Sequence, residues 1–460
     1  MSHHDVDLVV LGGGSGGYAA ALRAAELGRS VVLIEKDRLG GTCLHRGCIP
    51  TKALLHAGDV ADVTREGHRF GVDSRLAGID MSGVHEYMRE VIDKNWNGLA
   101  GLIRSRGITV VEEHGTLVAA RTVRAGEDTY TGSALVLATG SRSRSLPGIV
   151  PDGGTVLFSE DALARASVPE SAIVLGGGVI GCEFASAWTS LGAEVTIVEA
   201  RDHLVPLEDE SSSKLLERAF RRRGIAHHLG SAVAGTAKGP DGVQVRLENG
   251  TSLDAQVLLV AVGRSPVTEG LGFAEHGIVM DGNGFVVVDE SGRTTAPGVY
   301  AVGDLVPTLQ LAHVGFAEGI LAAEHLAGLN PDPISYDGVP RVTYSSPEIA
   351  SVGLTEARAR ERYGDDAVRV VTYDLSGNGR SAILRTGGAV KLVALTADGT
   401  VVGVHMVGDR VSELVAESQL IVNWEATAAD VAGLIHPHPT QSEALGEAHL
   451  LLAGKPLHVH

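Results

Sequence analysis

The sequence is poor in cysteine, in aromatic residues and in positive charge. Three Cys among 460 residues exclude a secreted scaffold held together by disulfides. Aromatic residues make up 4%, which argues against an aromatic-rich recognition surface. Lys and Arg number 38 against 56 Asp and Glu, a net charge of −18. A field of that sign repels nucleic acid and anionic membranes, so neither is expected as a partner.

Long hydrophobic runs and a targeting signal are also missing from the sequence. The longest apolar runs, such as residues 257–263, are far shorter than the roughly 18 residues that a membrane-spanning helix needs. The first residues are polar and lack a basic stretch and a cleavage site. We therefore expect a cytoplasmic location.

What the sequence does have is length, glycine and an internal repeat. With 460 residues, more than one domain is expected, and 60 Gly predict many tight backbone turns. Residues 11–35 and 175–199 share an apolar run, a Gly-rich turn, a helix-like stretch and a second apolar run ending in Glu. This order is typical of a βαβ unit. The expected fold class is therefore α/β, with two Rossmann-like dinucleotide-binding domains.

The remaining segments predict the domain organisation. We expect the first nucleotide-binding domain at 1–148 and the second at 149–268, because Pro and Gly cluster at that boundary. A central segment, 269–337, contains a short apolar run that returns to the first domain. From 338 to 460, β-like runs followed by helical stretches predict a separate α+β domain.

Each repeat carries a glycine fingerprint for binding a pyrophosphate. The first glycine allows a tight turn, the second lets phosphate approach the backbone, and the third lets helix and strand pack closely. The helix N-terminus then faces the phosphates, and an acidic residue after the next strand accepts ribose hydroxyls. The residues concerned are Gly12, Gly14, Gly17 and Glu35 in the first unit, and Gly176, Gly178, Gly181 and Glu199 in the second.

The second acidic residue also bears on which nucleotide binds. A carboxylate at Glu199 accepts a hydrogen bond from a free 2′-hydroxyl and repels a 2′-phosphate, so NAD is favoured over NADP. Arg201 lies close by in the sequence and weakens that preference slightly.

Two cysteines follow the first unit, with four residues between them. Cys43 and Cys48 do not match the pair spacing of a zinc ribbon, and no second pair exists. Two independent buried thiols are the plain alternative. The loop leads into a helix, and Arg46 and Lys52 are near, so we expect a lowered thiol pKa and a redox-active dithiol. Cys182 stands alone and is interpreted as a packing residue.

A His-rich segment lies near the C-terminus, at residues 436–443. His438 followed five residues later by Glu443 can form a base and the carboxylate that orients it. On its own, the same pattern also suits a solvated polar turn. A metal site made by His436 and His438 is weaker, because the adjacent prolines favour an extended path, and no metal is expected.

Taken together, these motifs resemble the flavin-dependent pyridine nucleotide–disulfide oxidoreductases over essentially the whole chain. The paired-Cys loop and the His-Pro-Thr…Glu motif are highly specific in combination. The residues that carry the resemblance are 12–17 (GGGSGG), 40–52 (GGTCLHRGCIPTK), 138–141 (ATGS), 176–184 (GGGVIGCEF), 298–304 (GVYAVGD), 309–313 (LQLAH) and 436–443 (HPHPTQSE).

The resemblance implies FAD on the first fingerprint and NAD on the second. Glu35 would bind the adenosine ribose of FAD and Asp304 its ribityl chain. Lys52, paired with Glu183, would lie near the reactive edge of the flavin. The further cofactor positions that it implies are Gly115, Thr139, Gly140, Ser141, Gly263 and Ala312.

The resemblance also implies a homodimer and a reaction. The C-terminal domain would form the dimer interface and lend His438 to the disulfide of the other subunit. Among family members, the best match is to those that oxidise protein-bound dihydrolipoamide. Cys43 would then exchange with the substrate, Cys48 would face the flavin, and NAD would accept the electrons. The implied partners are lipoyl-bearing subunits or domains of 2-oxo acid dehydrogenase or glycine cleavage complexes.

Related activities remain as alternatives. The C-terminal Cys pair of mercuric reductases is absent, and Glu199 disfavours the NADP site of glutathione-type reductases. A reductase of mycothione or of quinones is harder to distinguish from this protein, because the sequence does not show the substrate pocket. A flavin subunit with a purely structural role is disfavoured, because the Cys, His and Glu residues are retained. Two departures from the family pattern are His45-Arg46 between the cysteines and Pro437 between the two His.

Overall fold

Three large sheets organise the chain: one mixed, one parallel and one antiparallel. A computed structural model describes residues 2–459. The central parallel strands, such as Val31–Ile34, are buried along their whole length because helices cover both faces. The expected α/β class is confirmed.

The first unit contains the first βαβ repeat. Its strands pair in the order β3-β2-β1-β6-β5-β4, with parallel pairing from β3 to β6 and antiparallel pairing beyond. Its elements are β1 (His3–Leu11), α1 (Ser15–Glu26), β2 (Val31–Ile34), α2 (Gly41–Arg46), α3 (Cys48–Glu66), α4 (Met81–Ser105), β3 (Thr109–Val111), β4 (Gly115–Ala119), β5 (Thr122–Ala125), β6 (Asp128–Leu137) and β7 (Ser141–Ser143).

The second unit contains the second repeat and has a parallel sheet in the order β11-β10-β9-β15-β8. Three further strands form an antiparallel sheet, β12-β13-β14, and β16 pairs with β7 of the first unit. The elements are β8 (Val156–Leu157), α5 (Ser159–Leu163), β9 (Ser171–Leu175), α6 (Val179–Leu191), β10 (Glu194–Val198), α7 (Glu210–Arg222), β11 (Ala226–His228), β12 (Val233–Gly239), β13 (Gly242–Leu247), β14 (Ser252–Ala255), β15 (Val257–Val260) and β16 (Arg264–Pro266).

After the second unit the chain returns to the first sheet. Strand β17 (Val299–Ala301) pairs in parallel with β6. Helix α8 (Ala312–Leu326) then packs on α1, so closely that a Cβ on Gly319 would lie 2.3 Å from the carbonyl oxygen of Gly16. The N-termini of α1 and α8 therefore approach the same edge of the first sheet.

The C-terminal unit is an antiparallel sheet covered by helices. Its strands pair in the order β18-β19-β22-β21-β20. The elements are β18 (Arg341–Thr343), β19 (Glu348–Gly353), α9 (Glu356–Tyr363), β20 (Val368–Asp374), α10 (Gly379–Leu384), β21 (Ala389–Leu395), β22 (Val401–Gly408), α11 (Val411–Asn423), α12 (Ala428–Ala432) and α13 (Glu443–Leu452). None of the helices within residues 2–459 is both long and apolar enough to cross a lipid bilayer.

Candidate active site and nucleotide-binding turns

The first nucleotide turn, Gly12–Gly17, lies between β1 and α1 and requires glycine at two positions. Gly12 has φ +107°, and a Cβ there would lie 2.3 Å from the carbonyl oxygen of Ala138. A Cβ on Gly17 would lie 1.8 Å from the carbonyl oxygen of Gly12. Gly14, by contrast, faces open space, with nothing within 4 Å of its Cβ position. The turn is thus closed toward the protein and open where a phosphate would approach.

The second nucleotide turn, Gly176–Gly181, repeats this geometry between β9 and α6. Gly176 also has φ +107°, and its Cβ position lies 2.3 Å from the carbonyl oxygen of Ala261. A Cβ on Gly181 would lie 1.9 Å from the Gly176 carbonyl oxygen, and Gly178 is open. Both turns therefore present the open N-terminus of a helix to a ligand.

An acidic side chain closes each turn. Glu35 Oε2 accepts a 2.6 Å hydrogen bond from the N–H of Gly13, and Glu199 Oε2 accepts one of the same length from Gly177. The two carboxylates are therefore held at equivalent places beside the open glycine positions. A cradle for phosphates next to an acid for ribose hydroxyls fits a dinucleotide at both turns.

The two thiols lie on a segment that begins beside the first turn. Cys43 is in the short helix α2, and Cys48 is the first residue of α3. Both are unbridged and partly buried. Interaction with the Cys43 thiol, helped by the charge of Lys52, lowers the pKa of Cys48 to about 7, whereas the same interaction and burial raise the pKa of Cys43. A Cβ on Gly41 would lie 2.8 Å from the Cα of Gly14, so the start of α2, two residues before Cys43, adjoins the first nucleotide turn.

One turn along α3 from Cys48, Lys52 forms an ion pair with a residue of the second unit. Its Nζ lies 2.8 and 2.9 Å from the two carboxylate oxygens of Glu183 on α6. The side chain of Glu183 is buried and also accepts the N–H of Tyr344, whose ring lies 4.7 Å from Nζ. Burial opposes the charge on Lys52, but Glu183 raises its pKa, so a fixed cation remains beside the dithiol.

Between the cysteines, His45 and Arg46 each contact residues that precede the loop. Arg46, which the sequence predicts to lower a thiol pKa, forms an ion pair in which its guanidinium lies 2.6 Å from Asp37 Oδ2. His45 Nε2 hydrogen bonds with the carbonyl oxygen of Leu39 at 2.9 Å. This departure from the family pattern thus braces the loop and leaves Lys52 as the nearby cation.

Residues from three distant segments meet near the C-terminal end of β6. Ser141 donates a hydrogen bond to Asp304 and accepts one of 2.6 Å from Arg264 Nε, which lies 3.7 Å from the Asp304 carboxylate. Thr139 donates to the carbonyl oxygen of Val267 at 2.6 Å. Arg264 is not among the residues predicted from the sequence, and no local signal marks it.

The remaining predicted positions are spread around this region. Ala312 is the first residue of α8. Gly115 begins β4, and its Cβ position lies 2.4 Å from Leu11 Cδ1, so no side chain fits there. Gly140 and Gly263 have φ of +71° and +110°, which favours glycine at both.

The predicted His–Glu pair is formed, on the C-terminal unit. His438 Nδ1 and Glu443 Oε1 are 2.8 Å apart, and the other carboxylate oxygen accepts the N–H of Thr440 at 2.7 Å. Burial opposes ionisation of Glu443, but these hydrogen bonds lower its pKa overall. His438 is largely exposed, with a side-chain exposure of 77%, and within residues 2–459 no hydrogen bond joins it to either thiol. Within the described part of a single chain, the His438–Glu443 pair and the Cys43–Cys48 pair are therefore not in contact through a hydrogen bond.

Comparison with known proteins agrees with this arrangement. Residues 6–319 match the pyridine nucleotide-disulphide oxidoreductase family, and residues 339–449 match the dimerisation domain of that family. A dihydrolipoyl dehydrogenase of Bacillus subtilis is 39% identical, with 99% of each chain covered. The mitochondrial dihydrolipoyl dehydrogenase of Pisum sativum is 36% identical over 98% of this chain and 92% of its own.

Solved structures show the same likeness in three dimensions. LpdA from Mycobacterium tuberculosis superposes with a TM-score of 0.90 at 28% identity, covering 98% of this chain and 100% of its own. The HOCl-induced flavoprotein disulfide reductase RclA from Escherichia coli gives a TM-score of 0.86 at 26% identity, covering 97% and 99%. The dimerisation-domain match supports a homodimer. From these matches and the geometry of the turns and thiols, the chain belongs to the pyridine nucleotide-disulphide oxidoreductase family.

Proposed function

We propose that the protein is a dihydrolipoyl dehydrogenase, which oxidises dihydrolipoamide to lipoamide through the Cys43–Cys48 pair and passes the electrons to NAD. The observation that carries the proposal is the dithiol itself. The segment that carries it runs from the first dinucleotide turn to the Lys52–Glu183 ion pair, in a chain that covers 92–99% of relatives of that name.

FAD and NAD are the cofactors. We assign FAD to the first turn, within a domain of residues 1–148, and NAD to the second, within residues 149–268. The open positions at Gly14 and Gly178, each beside a fixed carboxylate, support this placement. When bound, FAD supplies the two-electron chemistry that connects a dithiol to a nicotinamide.

The chain's own residues carry out the thiol chemistry. His438, oriented by Glu443, removes a proton from one thiol of dihydrolipoamide. The resulting thiolate attacks Sγ of Cys43, which forms a mixed disulfide and breaks the Cys43–Cys48 bond. Cys48 leaves as a thiolate. The second substrate sulfur then attacks the substrate sulfur of the mixed disulfide and passes its proton to the leaving Cys43, which releases lipoamide and leaves Cys43 as a thiol and Cys48 as a thiolate.

The structure around Cys48 suits its role as the leaving thiolate. Its low pKa makes it a good leaving group, and the N-terminus of α3 and Lys52 both stabilise its negative charge. The ion pair with Glu183, on α6, holds Lys52 in place. The Glu183 charge raises the pKa of Cys48, but by less than Lys52 lowers it.

We further propose that His438 of one subunit serves the dithiol of the other. Its exposed imidazole, held in orientation by a partly buried carboxylate, is available to a second chain. The proposed partners are lipoyl-bearing subunits or domains of 2-oxo acid dehydrogenase or glycine cleavage complexes. The proposed location is the cytoplasm, where thiols are kept reduced and disulfides are usually transient and catalytic.

Replacing one thiol tests the proposal. The variant Cys48→Ser should lose dihydrolipoamide:NAD turnover while keeping bound FAD, seen as its visible absorbance. Oxidation of NADH by ferricyanide, which needs the cofactors but not the dithiol, should remain and serves as the control. Turnover of dihydrolipoamide at the wild-type rate in this variant would overturn the mechanism.

A further inference from the structure

The loop that follows Glu199 forms part of the second nucleotide turn. Residues 200–209 join β10 to α7. At the start of this loop the N–H of Arg201 donates to Glu199 Oε1 at 2.8 Å. Further along, the N–H of Val205 donates to the carbonyl oxygen of Gly177 at 2.7 Å. The loop thus holds both the acidic residue and the glycine backbone of the turn.

The middle of this loop adopts a conformation that it would not keep by itself. Val205 has φ +43°, in the left-handed region that β-branched residues strongly disfavour. Its neighbour Leu204 is fully buried, and its Cδ2 lies 2.6 Å from where a Cβ on Gly177 would stand. Strained backbone of this kind persists only where the surrounding structure fixes it.

The far end of the loop is fixed by the C-terminal unit through Asp209. Lys391 Nζ, on β21, lies 2.8 Å from Asp209 Oδ1 and 2.7 Å from Glu356 Oε2. The backbone N–H of Glu356, at the start of α9, donates to Asp209 Oδ2 at 3.0 Å. Asp209 also caps α7 through the N–H of Ser211. One carboxylate therefore joins the loop to two helices and a strand.

A second contact lies beside it. Arg341 Nε, on β18, lies 3.1 Å from Glu208 Oε1, and the other oxygen of Glu208 accepts a hydrogen bond from the Ser351 hydroxyl. Glu208, Asp209 and Lys391 are all buried. Removing one partner of a buried pair leaves an uncompensated charge, so these contacts hold their geometry firmly.

We propose that Lys391 and Arg341 are positioning residues for the pyridine nucleotide. They hold Glu208 and Asp209 and so fix the loop 200–209 against the second turn, without touching the nucleotide themselves. These contacts of the C-terminal unit thereby set the affinity for NAD. Lys391 and Arg341 pair with Glu208, Asp209 and Glu356 and, within residues 2–459, with no residue of α2 or α3, so their replacement leaves the dithiol unaffected. This inference rests on the proposed placement of NAD at the second turn.

The variant Lys391→Met tests the proposal, because it should change the KM for NAD but not the KM for dihydrolipoamide. We expect the KM for NAD to rise by about fivefold or more, the lower end of ordinary coupling between sites. The KM for dihydrolipoamide and the anaerobic rate at which it reduces the enzyme should stay at wild-type values. Lys391→Arg should restore most of the NAD affinity. The matched control is Arg362→Met, which removes an exposed cation of the same unit that pairs with half-buried Asp337.

Other outcomes would overturn it. A purely structural contact would lower the melting temperature of Lys391→Met and leave the KM for NAD unchanged. A general disturbance would raise both KM values. If Lys391→Met does not fold, Ser351→Ala removes one neutral donor to Glu208, and an unchanged KM for NAD in that variant would overturn the proposal.

A separate variant distinguishes failure of this inference from failure of the proposed site. Glu199→Ala should raise the KM for NAD if the nucleotide occupies the second turn. If Glu199→Ala has that effect and Lys391→Met does not, the positioning role is wrong and the site stands. If neither has it, the placement of NAD is wrong.

Discussion

Among single residues, the surroundings of the two thiols determine which of them loses its proton first. Cys48 begins a 19-residue helix and has Lys52 one turn further on, whereas interaction with Cys48 and burial raise the pKa of Cys43. The reduced pair therefore places its first negative charge on Cys48. The motif spacing predicts this dithiol, but only the folded geometry assigns the charge.

Lys52→Met should raise the pKa of Cys48. In the wild type the thiolate forms as the pH rises through about 7. Without the cation the midpoint should move upward by roughly one unit or more, since one unit corresponds to about 1.4 kcal/mol. The pH dependence of alkylation of the reduced enzyme by iodoacetamide measures it, and Lys52→Arg, which keeps the charge, is the control. A midpoint unchanged in Lys52→Met would contradict the assignment of Lys52.

His438→Ala should lower kcat for dihydrolipoamide by about 10²- to 10⁴-fold, the usual contribution of a general base. Glu443→Gln should have a smaller effect, because it keeps one hydrogen bond to the imidazole and loses the charge. Stopped-flow reduction of the enzyme by dihydrolipoamide measures the step. NADH oxidation by ferricyanide should be the same in both variants and in the wild type; a parallel loss there would point to damage elsewhere.

Some residues of the site were not predictable from the sequence, for a physical reason. Arg264 contacts Ser141, and Tyr344 contacts Lys52, although more than a hundred residues of sequence separate the two members of each pair. Neither lies in a motif with fixed spacing. Such contacts arise from how whole units pack, which local patterns do not encode.

Among the secondary-structure elements, the two βαβ units contain glycines with two different roles, one in packing and one in ligand binding. Gly17 and Gly181 allow a helix to touch its strand, and their Cβ positions are blocked by backbone. Gly14 and Gly178 have free space instead. The spacing predicts all four glycines, and the structure distinguishes the two kinds.

Gly14→Ala and Gly178→Ala should therefore affect different ligands while both proteins stay folded. The methyl group meets no protein atom and occupies the place of a phosphate. We expect Gly14→Ala to lower the FAD content of the purified protein, and Gly178→Ala to raise the KM for NAD by about tenfold or more. Gly98→Ala, on an open face of α4, is the control and should leave both unchanged. Equal effects of both variants on FAD would contradict the assignment of one ligand to each turn.

At the scale of the whole molecule, the dithiol and the base lie on different units, and the chain has a dimerisation domain. The two glycine-rich repeats in the sequence predict two βαβ units, and the structure contains both. The sequence does not predict the contacts between units, such as Lys391 with Asp209, since charged residues far apart in sequence carry no pairing signal.

A mixed dimer tests whether the site is shared between subunits. Cys48→Ser and His438→Ala homodimers should both be nearly inactive. After dissociation and random reassembly, half of the dimers are mixed and each has one complete site, so about a quarter of the wild-type activity should return. No recovery, with mixed dimers present by mass, would show that His438 serves its own chain.

The central claim is that this member of the family oxidises dihydrolipoamide with NAD. The most direct test is a comparison of kcat/KM for the purified protein on dihydrolipoamide with NAD or NADP, and on mycothiol disulfide, glutathione disulfide and quinones with NADH or NADPH. We expect the kcat/KM for dihydrolipoamide with NAD to exceed that for every other pair of substrates by at least about a hundredfold. Differences in transition-state binding readily provide a ratio of that size. A higher kcat/KM for any other disulfide or for a quinone would contradict the central claim.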